Sequence, residues 1–312
     1  MFATRTIAAW QLRTRTLELG ARTLVMAVVN ITPDSFSDGG AFLDPQAAIA
    51  HALQAFEEGA DIVDLGAEST RPGSRAGGAP GSAQAPTVST EEEQARLLPV
   101  LEGILKAQPG AVLSADTYKA ATARAALTAG AEIINDVSGF SWDAGMAAVC
   151  AEGRAGVVLT HARGRPEEWR TQTRLDAEPL LVLVREGLAE SLSVAHEAGI
   201  PPPAVVLDPG YGFGKRFGEN FSLLARQAEL LDLDRPLLAG LSRKSFLGHA
   251  LAPLHGNAPA SVEDRETAGI AAMVAAILNG ASIVRVHTVR PALEAALIAD
   301  AILSAGGGET NQ

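Results

Sequence analysis

The chain has 312 residues, of which 47% are hydrophobic and 20% are charged, so it can bury a full core. Its formal net charge of −11 argues against a nucleic-acid groove or an anionic membrane surface as a partner. The single cysteine, Cys150, excludes an internal disulfide, no apolar run predicts a membrane span, and the N-terminus does not resemble a signal peptide. We therefore expect a cytoplasmic protein with neither a membrane nor a nucleic-acid partner.

Eight short runs rich in Val, Ile and Leu recur along the chain, and each ends in polar residues. The runs are nearly continuous rather than alternating, which is typical of strands that are buried on both faces. Segments with helical spacing separate them, such as 45–59, which has Pro at its start, and 89–107, which opens with a Ser/Thr cap. The runs cover residues 23–30, 60–70, 111–117, 131–139, 155–164, 204–210, 236–245 and 281–289.

The alternation of strand and helix predicts a closed (β/α)8 TIM barrel, an α/β fold, as a single domain. We place this barrel at residues 23–304, after an N-terminal hairpin at 1–22 that closes its bottom and before a flexible tail at 305–312. An open doubly wound sheet is the alternative, but it usually carries a Gly-rich turn after its first strand, which NITPDSF at 30–36 is not. The Gly/Ala/Pro/Ser-rich stretch at 71–90 is interpreted as a long βα loop rather than a linker.

Polar residues concentrate where the predicted strands end, which is where a (β/α)8 barrel has its active site. A single polar residue at such a position usually caps the next helix, but a set of them in register indicates a site. The predicted strand starts carry no comparable set. In chain order the set is Asn30, Glu68, Ser69, Thr70, Arg71, Asp116, Thr117, Asn135, Asp136, His161, Arg163, Asp208, Ser242, Arg243, Lys244, Ser245, Arg285 and His287.

The chemistry of this set divides into two groups. Short acceptors and amides suit a flat nitrogen heterocycle, because a buried ring needs its polar edges matched; they are Asp116, Asn135 and Asp208. Cationic side chains suit a pyrophosphate and a carboxylate; they are Arg71, Arg243, Lys244, Arg285 and His287. A divalent cation is expected to neutralise the pyrophosphate, with Asn30 as an oxygen ligand.

The motifs that carry these residues resemble those of the dihydropteroate synthase family. NITPDSFSDGG and SRKS are the most specific, and the resemblance extends from about residue 23 to 304. The others, in order, are DLGAESTRPG, SADTYKA, INDVSG, DPGYGFGK and RVHTV. The resemblance implies that the chain joins 7,8-dihydropterin-6-ylmethyl pyrophosphate to p-aminobenzoate with Mg2+, by a dissociative substitution without a covalent nucleophile.

The resemblance also assigns a role to each matching residue. It implies that Asn30 binds Mg2+, and that the catalytic group is Asp34, Asp116, Lys244 and Arg285. It implies that the pterin ring is held by Asp116, Asn135, Asp208 and Lys244, and the pyrophosphate by Arg285 and His287. It places Phe36, Pro72 and Ser242 at the p-aminobenzoate site, with Ser242 near the carboxylate. The remaining substrate-binding residues that it implies are Thr70, Arg71, Phe213, Lys215, Gly240 and Arg243.

Four positions depart from the family pattern. Ala162 in LTHARG stands where the family usually has a methionine, Thr288 in RVHTV where it has Asp, and Tyr211 where Phe is common. The loop at 73–88 is longer than usual and borders the expected amine site. Two alternatives therefore stay open beside the synthase: a non-catalytic pterin-binding paralogue, and a pterin-dependent methyltransferase that serves a corrinoid protein.

Other notable residues are interpreted as structural. His51, His196, His249 and His255 have no partners at useful spacing and are expected on the surface, and Cys150 is expected in the core. Trp10, Trp142 and Trp169 are scattered and predict no stacking platform. The Ala-rich late helices are apolar, and late helices form the dimer interface in the family that the chain resembles, so we expect a homodimer.

Overall fold

A computed structural model describes residues 2–3, 5–32, 44–68 and 88–306. Within this part of the chain, a two-stranded antiparallel hairpin precedes eight parallel strands. The hairpin strands are β1 (Ala8–Gln11) and β2 (Thr16–Leu19). The parallel strands are β3 (Leu24–Asn30), β4 (Ile62–Gly66), β5 (Leu113–Asp116), β6 (Ile133–Asp136), β7 (Gly156–Thr160), β8 (Val205–Asp208), β9 (Leu237–Ala239) and β10 (Ala281–Val286).

The parallel strands form a closed barrel in chain order, because β10 pairs with β3 and places Ile283 opposite Leu24. This closure confirms the predicted (β/α)8 fold and rules out the open sheet. The helices of the described residues surround the barrel. They are α1 (Pro45–Glu57), α2 (Thr90–Ala107), α3 (Ala120–Ala129), α4 (Met146–Gly153), α5 (Ala177–Glu197), α6 (Phe217–Ala225), α7 (Ser245–Ala250), α8 (Glu266–Leu278) and α9 (Val289–Gly306).

Two of the helix starts follow directly from local chemistry. The side chain of Asp44 accepts a hydrogen bond from the Gln46 amide at the start of α1, where Pro45 is the first helical residue. The hydroxyl of Ser89 accepts from the Glu92 amide at the start of α2, whose first turn is acidic. Both predicted helices are thereby confirmed. No helix among the described ranges is long and apolar enough to cross a membrane.

Alternate residues of each strand face either the barrel interior or the surrounding helices. The outward residues, such as Val25 and Val63, belong to the large core beneath the helices. The inward residues near the strand starts form a separate apolar cluster that includes Met26, Ile62, Ile133, Val158, Val206, Leu238 and Ile283. Further along the same strands the inward positions are polar. The site therefore arises where the period-two pattern of the strands changes from apolar to polar residues.

The N-terminal hairpin packs against the starts of the strands, at the opposite end from this polar layer. Trp10 and Leu19 belong to the apolar cluster inside the barrel, and both side chains are buried. The Trp10 indole Nε1 donates to the Ala204 carbonyl, directly before β8, at 2.9 Å. Arg13 Nε donates to the Ala131 carbonyl before β6 at 3.1 Å. The hairpin thus closes the bottom of the barrel, as the sequence predicts.

Replacing Trp10 by Phe should destabilise the protein without changing the active site. The Ala204 carbonyl would lose its donor inside the core, which costs about 1–3 kcal/mol of unfolding free energy. Urea unfolding of the variant measures this loss. Gln11→Ala is the matched control, because the Gln11 side chain is exposed on the same strand. Equal unfolding free energies for Trp10→Phe and Gln11→Ala would contradict the role given to the indole.

Candidate active site

A cavity of about 650 Å³ opens at the carboxyl ends of the barrel strands. It brings together residues that the sequence places far apart, from the end of β3 to the residue that follows β10. The predicted site residues that line it are Asn30, Asp116, Phe213, Lys215, Gly240, Ser242, Arg243, Lys244, Arg285 and His287. The predicted residues Asp34, Phe36, Thr70, Arg71 and Pro72 lie outside the described residues, as does the loop at 73–87, so their roles stay predictions.

Asn135 and Asp208 do not line the cavity themselves but lie directly beside residues that do. Asn135 Nδ2 donates to Asp64 Oδ2 at 3.0 Å, and the same oxygen accepts from Arg285 Nε at 2.6 Å. A methyl group placed on Gly240 would lie 3.8 Å from Asp208 Oδ2 and 3.9 Å from Arg285 Cβ. A side chain at position 240, in the cavity lining, would therefore contact the carboxylate of Asp208.

Arg285 lies between two carboxylates that come from neighbouring strands. Besides its bond to Asp64, it donates from Nη2 to Asp116 Oδ2 at 2.6 Å. Burial opposes the charged guanidinium, but the carboxylates of Asp64 and Asp116 outweigh burial and raise the pKa of Arg285. Burial also raises the pKa of Asp116 to about 7, against the opposing effect of the Arg285 charge. The floor of the cavity is thus a compact charged network.

Asp64 is the residue of this network that the sequence analysis missed. It is completely buried on β4, and the prediction of site residues considered only the strand ends. A carboxylate in the middle of an otherwise apolar strand, ADIVDLG, is costly unless it is paired, and that cost is the signal that could have identified it.

Lys244 projects over an aromatic ring at one side of the cavity. Its Nζ lies 3.7 Å from the centroid of the Phe213 ring, which is a close cation–π contact. Burial is the main cause that lowers the pKa of Lys244 to about 8; the charge of Arg285 acts in the same direction, and the carboxylate of Asp208 opposes the shift. The ammonium therefore titrates near neutral pH.

Lys215 is held in place by a backbone carbonyl. Its Nζ donates to the carbonyl of His161 at 2.6 Å, and burial lowers its pKa well below the usual range. The turn that carries it requires glycine at position 210, where φ is +72° and a Cβ would lie 1.9 Å from the His161 carbonyl oxygen. The amide of Gly210 donates to Asp208 Oδ1 at 2.7 Å, which orients that carboxylate.

Ser242 and His287 form a pair in the cavity lining. The His287 amide donates to Ser242 Oγ at 3.3 Å, and its ring Nδ1 lies 3.0 Å from the same oxygen. The hydroxyl that the resemblance places near the p-aminobenzoate carboxylate thus contacts the histidine expected at the pyrophosphate. Arg243 adopts a left-handed φ of 60°, and its Nη2 donates to Thr288 Oγ1 at 3.5 Å. Thr288 therefore offers the charged guanidinium of Arg243 only a neutral acceptor, at the limit of hydrogen-bond distance.

The rim of the cavity carries aromatic residues that the sequence did not predict there. His249 is on the surface, as expected, but it has a partner: its ring centroid lies 3.7 Å from that of Phe217, and both residues line the cavity. Trp169 also lines the cavity and lies 5.3 Å from the Phe213 ring. The surface position of His249 agrees with the prediction, but its contact with Phe217 is one that the sequence spacing did not indicate. Trp169 and Phe213 form a single tilted pair, which does not contradict the prediction that the tryptophans form no stacking platform. Helix and loop contacts between distant segments create this rim, and no local pattern encodes them.

Two of the other family departures have clear environments. Tyr211 is buried and donates from its hydroxyl to Gln227 Oε1 at 2.8 Å, so the oxygen that Phe would lack has a partner. Ala162 is half-buried after β7, next to the buried His161. Cys150 is buried in α4 as expected, and burial raises the pKa of its thiol.

Asn30 supplies the oxygen chemistry that a hard cation requires. A methyl group on Gly66 would lie 3.8 Å from Asn30 Oδ1 and 3.7 Å from Asp116 Oδ2, so the two oxygens flank the same glycine. No cluster of three or more His, Cys, Asp or Glu side chains suited to a metal occurs within the described ranges. This donor set fits Mg2+, which is usually held by one or two protein oxygens together with substrate phosphates and water.

Comparison with known proteins agrees with this geometry. Residues 26–287 match the family described as "Pterin binding enzyme". The dihydropteroate synthase of Bacillus subtilis (strain 168) is 39% identical over 286 residues, which cover 92% of this chain and 90% of the relative.

Two solved structures are similar over nearly the full length. Dihydropteroate synthase from Xanthomonas albilineans with 4-aminobenzoic acid is 38% identical with a TM-score of 0.80, and the match covers 95% of this chain and 98% of that one. The Burkholderia cenocepacia enzyme complexed with 7,8-dihydropteroate is 34% identical with a TM-score of 0.78, and the match covers 96% and 98%. The chain therefore belongs to the dihydropteroate synthase family of pterin binding enzymes.

Proposed function

We propose that this chain condenses 7,8-dihydropterin-6-ylmethyl pyrophosphate with p-aminobenzoate, giving 7,8-dihydropteroate and pyrophosphate in folate biosynthesis, and that it acts in the cytoplasm. The observation that carries this proposal is the joint placement of buried acceptors and cationic groups around one cavity. The dihydropteroate synthases that resemble it over nine-tenths of the chain support the same reaction.

The buried acceptors hold the pterin ring. Asp116, Asn135 and Asp208 offer oxygen atoms to the N–H groups at the edge of the heterocycle, where an unpaired donor would cost about 1–3 kcal/mol. Asp208 is already oriented by the Gly210 amide, so binding requires little further ordering. Lys244, fixed over Phe213, supplies a donor to the ring acceptors on the opposite side.

The cationic groups bind the pyrophosphate. Arg285 lies near the end of β10, and His287 is the first residue after that strand. Arg243 also lines the cavity and contacts Thr288, the residue next to His287. Asn30 at the end of β3 would hold Mg2+ through its amide oxygen. When bound, Mg2+ neutralises negative charge on the pyrophosphate and makes it a better leaving group.

The chain promotes a dissociative substitution by orientation and electrostatics. The bond between the pterin methylene carbon and the pyrophosphate oxygen breaks first, and its electron pair leaves with the oxygen. Carboxylates at Asp116 and Asp208 lie next to the ring as positive charge develops on it. The neutral amine nitrogen of p-aminobenzoate then forms the new carbon–nitrogen bond and releases one proton. As the family resemblance implies, Phe36, Pro72 and Ser242 are assigned to the p-aminobenzoate site, and Asp34 to the catalytic group.

Pyrophosphate release by the purified protein tests the proposal. Dihydropterin pyrophosphate and Mg2+ are supplied with and without p-aminobenzoate, and both pyrophosphate and dihydropteroate are measured. Release that depends on p-aminobenzoate, with equal amounts of both products, supports the synthase. Binding of the pterin pyrophosphate without turnover would indicate the non-catalytic paralogue, and methyl transfer from a pterin without pyrophosphate release would indicate the methyltransferase.

The pH profile should reflect Lys244. Because the pKa of this lysine is about 8, kcat/KM for the pterin substrate is expected to fall as pH rises through 8 and the ammonium is lost. Lys244→Arg, whose guanidinium stays charged, should move that alkaline limb to higher pH. The effect of pH on stability has the opposite sign to its effect on activity. Folding lowers the pKa of Lys244 from 10.5 to about 8, so the unfolded chain binds more protons between these pH values, and the unfolding free energy rises with pH there. Identical alkaline limbs in both proteins would contradict the assignment.

The late helices support a homodimer. Leu297, Ile298 and Ile302 lie exposed along α9, with exposed fractions of 56%, 65% and 38%. An apolar stripe of this kind on a surface helix is typical of a subunit interface. Light scattering of the wild-type protein and of Ile298→Glu tests this: a dimer that the charge converts to a monomer supports the assignment, and a wild-type monomer contradicts it.

A further inference from the structure

We propose that Asp64 is a positioning residue for the reaction: it fixes the guanidinium of Arg285 in the orientation that binds the pterin pyrophosphate. This inference rests on the proposed role of Arg285 in substrate binding. Asp64 itself does not line the cavity and is out of reach of a substrate, because it is completely buried on β4, one inward position below Gly66. Its effect must therefore pass through the residues that it contacts.

The contacts of Asp64 all lead to the site. Its Oδ2 accepts from Arg285 Nε at 2.6 Å and from Asn135 Nδ2 at 3.0 Å. Its Oδ1 has no hydrogen-bond partner among the described residues. A fully buried carboxylate with one unpaired oxygen is costly for the fold, and an apolar side chain would pack there without that cost. Because this carboxylate is costly for the fold and contacts residues of the site, we infer that it serves function rather than stability.

Two carboxylates fix the guanidinium more firmly than one. Asp64 binds Nε and Asp116 binds Nη2, so the plane of Arg285 is held at two separate nitrogen atoms. Asp116 lines the cavity and is also assigned to the pterin ring, so a bound substrate competes with Arg285 for it. Asp64 cannot be reached by the substrate and keeps its bond to Nε. It therefore holds Arg285 in place when Asp116 turns to the pterin.

A mutational cycle tests this role with the full-length protein. The variants are Asp64→Asn, Arg285→Lys and the double variant, and the measurements are kcat, KM for each substrate and Tm. Asp64→Asn should lower kcat/KM about 100-fold, mainly through KM for dihydropterin pyrophosphate, because a displaced binding group loses its alignment. In the Arg285→Lys background the same change should cost less than about threefold, since coupled residues are not additive.

Thermal stability separates positioning from a purely structural role. In Asp64→Asn the positive charge of Arg285 is still balanced by the negative charge of Asp116. We therefore expect the Tm of this variant to stay close to that of the wild type. Ser114→Ala is the matched control, because Ser114 is equally buried, faces Asp64 across the β4–β5 pair and forms no hydrogen bond to Arg285 within the described part of the chain. It should keep wild-type kcat/KM. A twofold or smaller effect of Asp64→Asn, full additivity with Arg285→Lys, or a fall in activity that only parallels a fall in Tm would overturn the inference.

The variant Asp64→Glu and the activity of the wild-type protein distinguish the remaining outcomes. If Asp64→Asn does not fold, Asp64→Glu decides, because it keeps the charge but moves the carboxylate: lost activity supports positioning, and full activity contradicts it. If the wild-type protein releases no pyrophosphate, the proposed function fails. If the wild type is active, Arg285→Lys is impaired and Asp64→Asn is normal, then only the inference about Asp64 fails.

Discussion

Lys244→Ala should lower kcat/KM for the condensation by about 100- to 1,000-fold, the usual effect of removing one preorganised charged donor from an active site. The ammonium lies 3.7 Å from the Phe213 ring centroid and lines the cavity, so truncation removes both a donor and a fixed positive charge. Steady-state pyrophosphate release at pH 7, where the ammonium is mostly protonated, measures the loss. Because burial disfavours the charged lysine, the variant should not be less stable than the wild type.

Lys106→Ala is the matched control for this prediction. Lys106 is exposed in the last turn of α2, away from the cavity lining, and its loss should leave kcat/KM unchanged. Near-normal turnover in Lys244→Ala would contradict the role of the ammonium. A large loss of kcat/KM in both variants would mean that the assay responds to the fraction of correctly folded protein rather than to the loss of the Lys244 ammonium.

Arg285→Met should destabilise the protein by about 3–5 kcal/mol and abolish measurable turnover, because it leaves the buried carboxylates of Asp64 and Asp116 without their shared cation. Urea unfolding measures the first effect and pyrophosphate release the second. Adding Asp64→Asn to this variant should recover part of the unfolding free energy, since it removes one of the two uncompensated charges. It should not recover turnover, since the group that binds pyrophosphate is still absent.

Arg290→Met provides the comparison for a surface arginine. Arg290 pairs with Glu294 one turn along α9, and both side chains are more than half exposed. Such a pair contributes about 0–1 kcal/mol, so its loss should have little effect on the unfolding free energy. If Arg285→Met and Arg290→Met were equally stable, the charged network at the floor of the cavity would not support the fold as described.

The barrel and most of its site residues could be predicted because their signals are local. Buried parallel strands are apolar over short continuous runs, and a helix start such as Ser89 is encoded by the few residues around it. The strand ends of a closed barrel must meet, so polar residues there could be assigned to one site before any contact was known. The motifs around Asn30 and Lys244 then pointed to the chemistry.

The contacts within that site could not be predicted, because they depend on packing between distant segments. Arg285 and Asp64 are 221 residues apart in the chain, and only the closure of β10 onto β3 brings them to 2.6 Å. The pairing of His249 with Phe217 likewise depends on how α6 and α7 pack together. The sequence by itself determined the barrel, the end of it that carries the site and the residue types available there. The tertiary structure decided which carboxylate holds which cation, because that choice depends on strand register and burial, which no local pattern records.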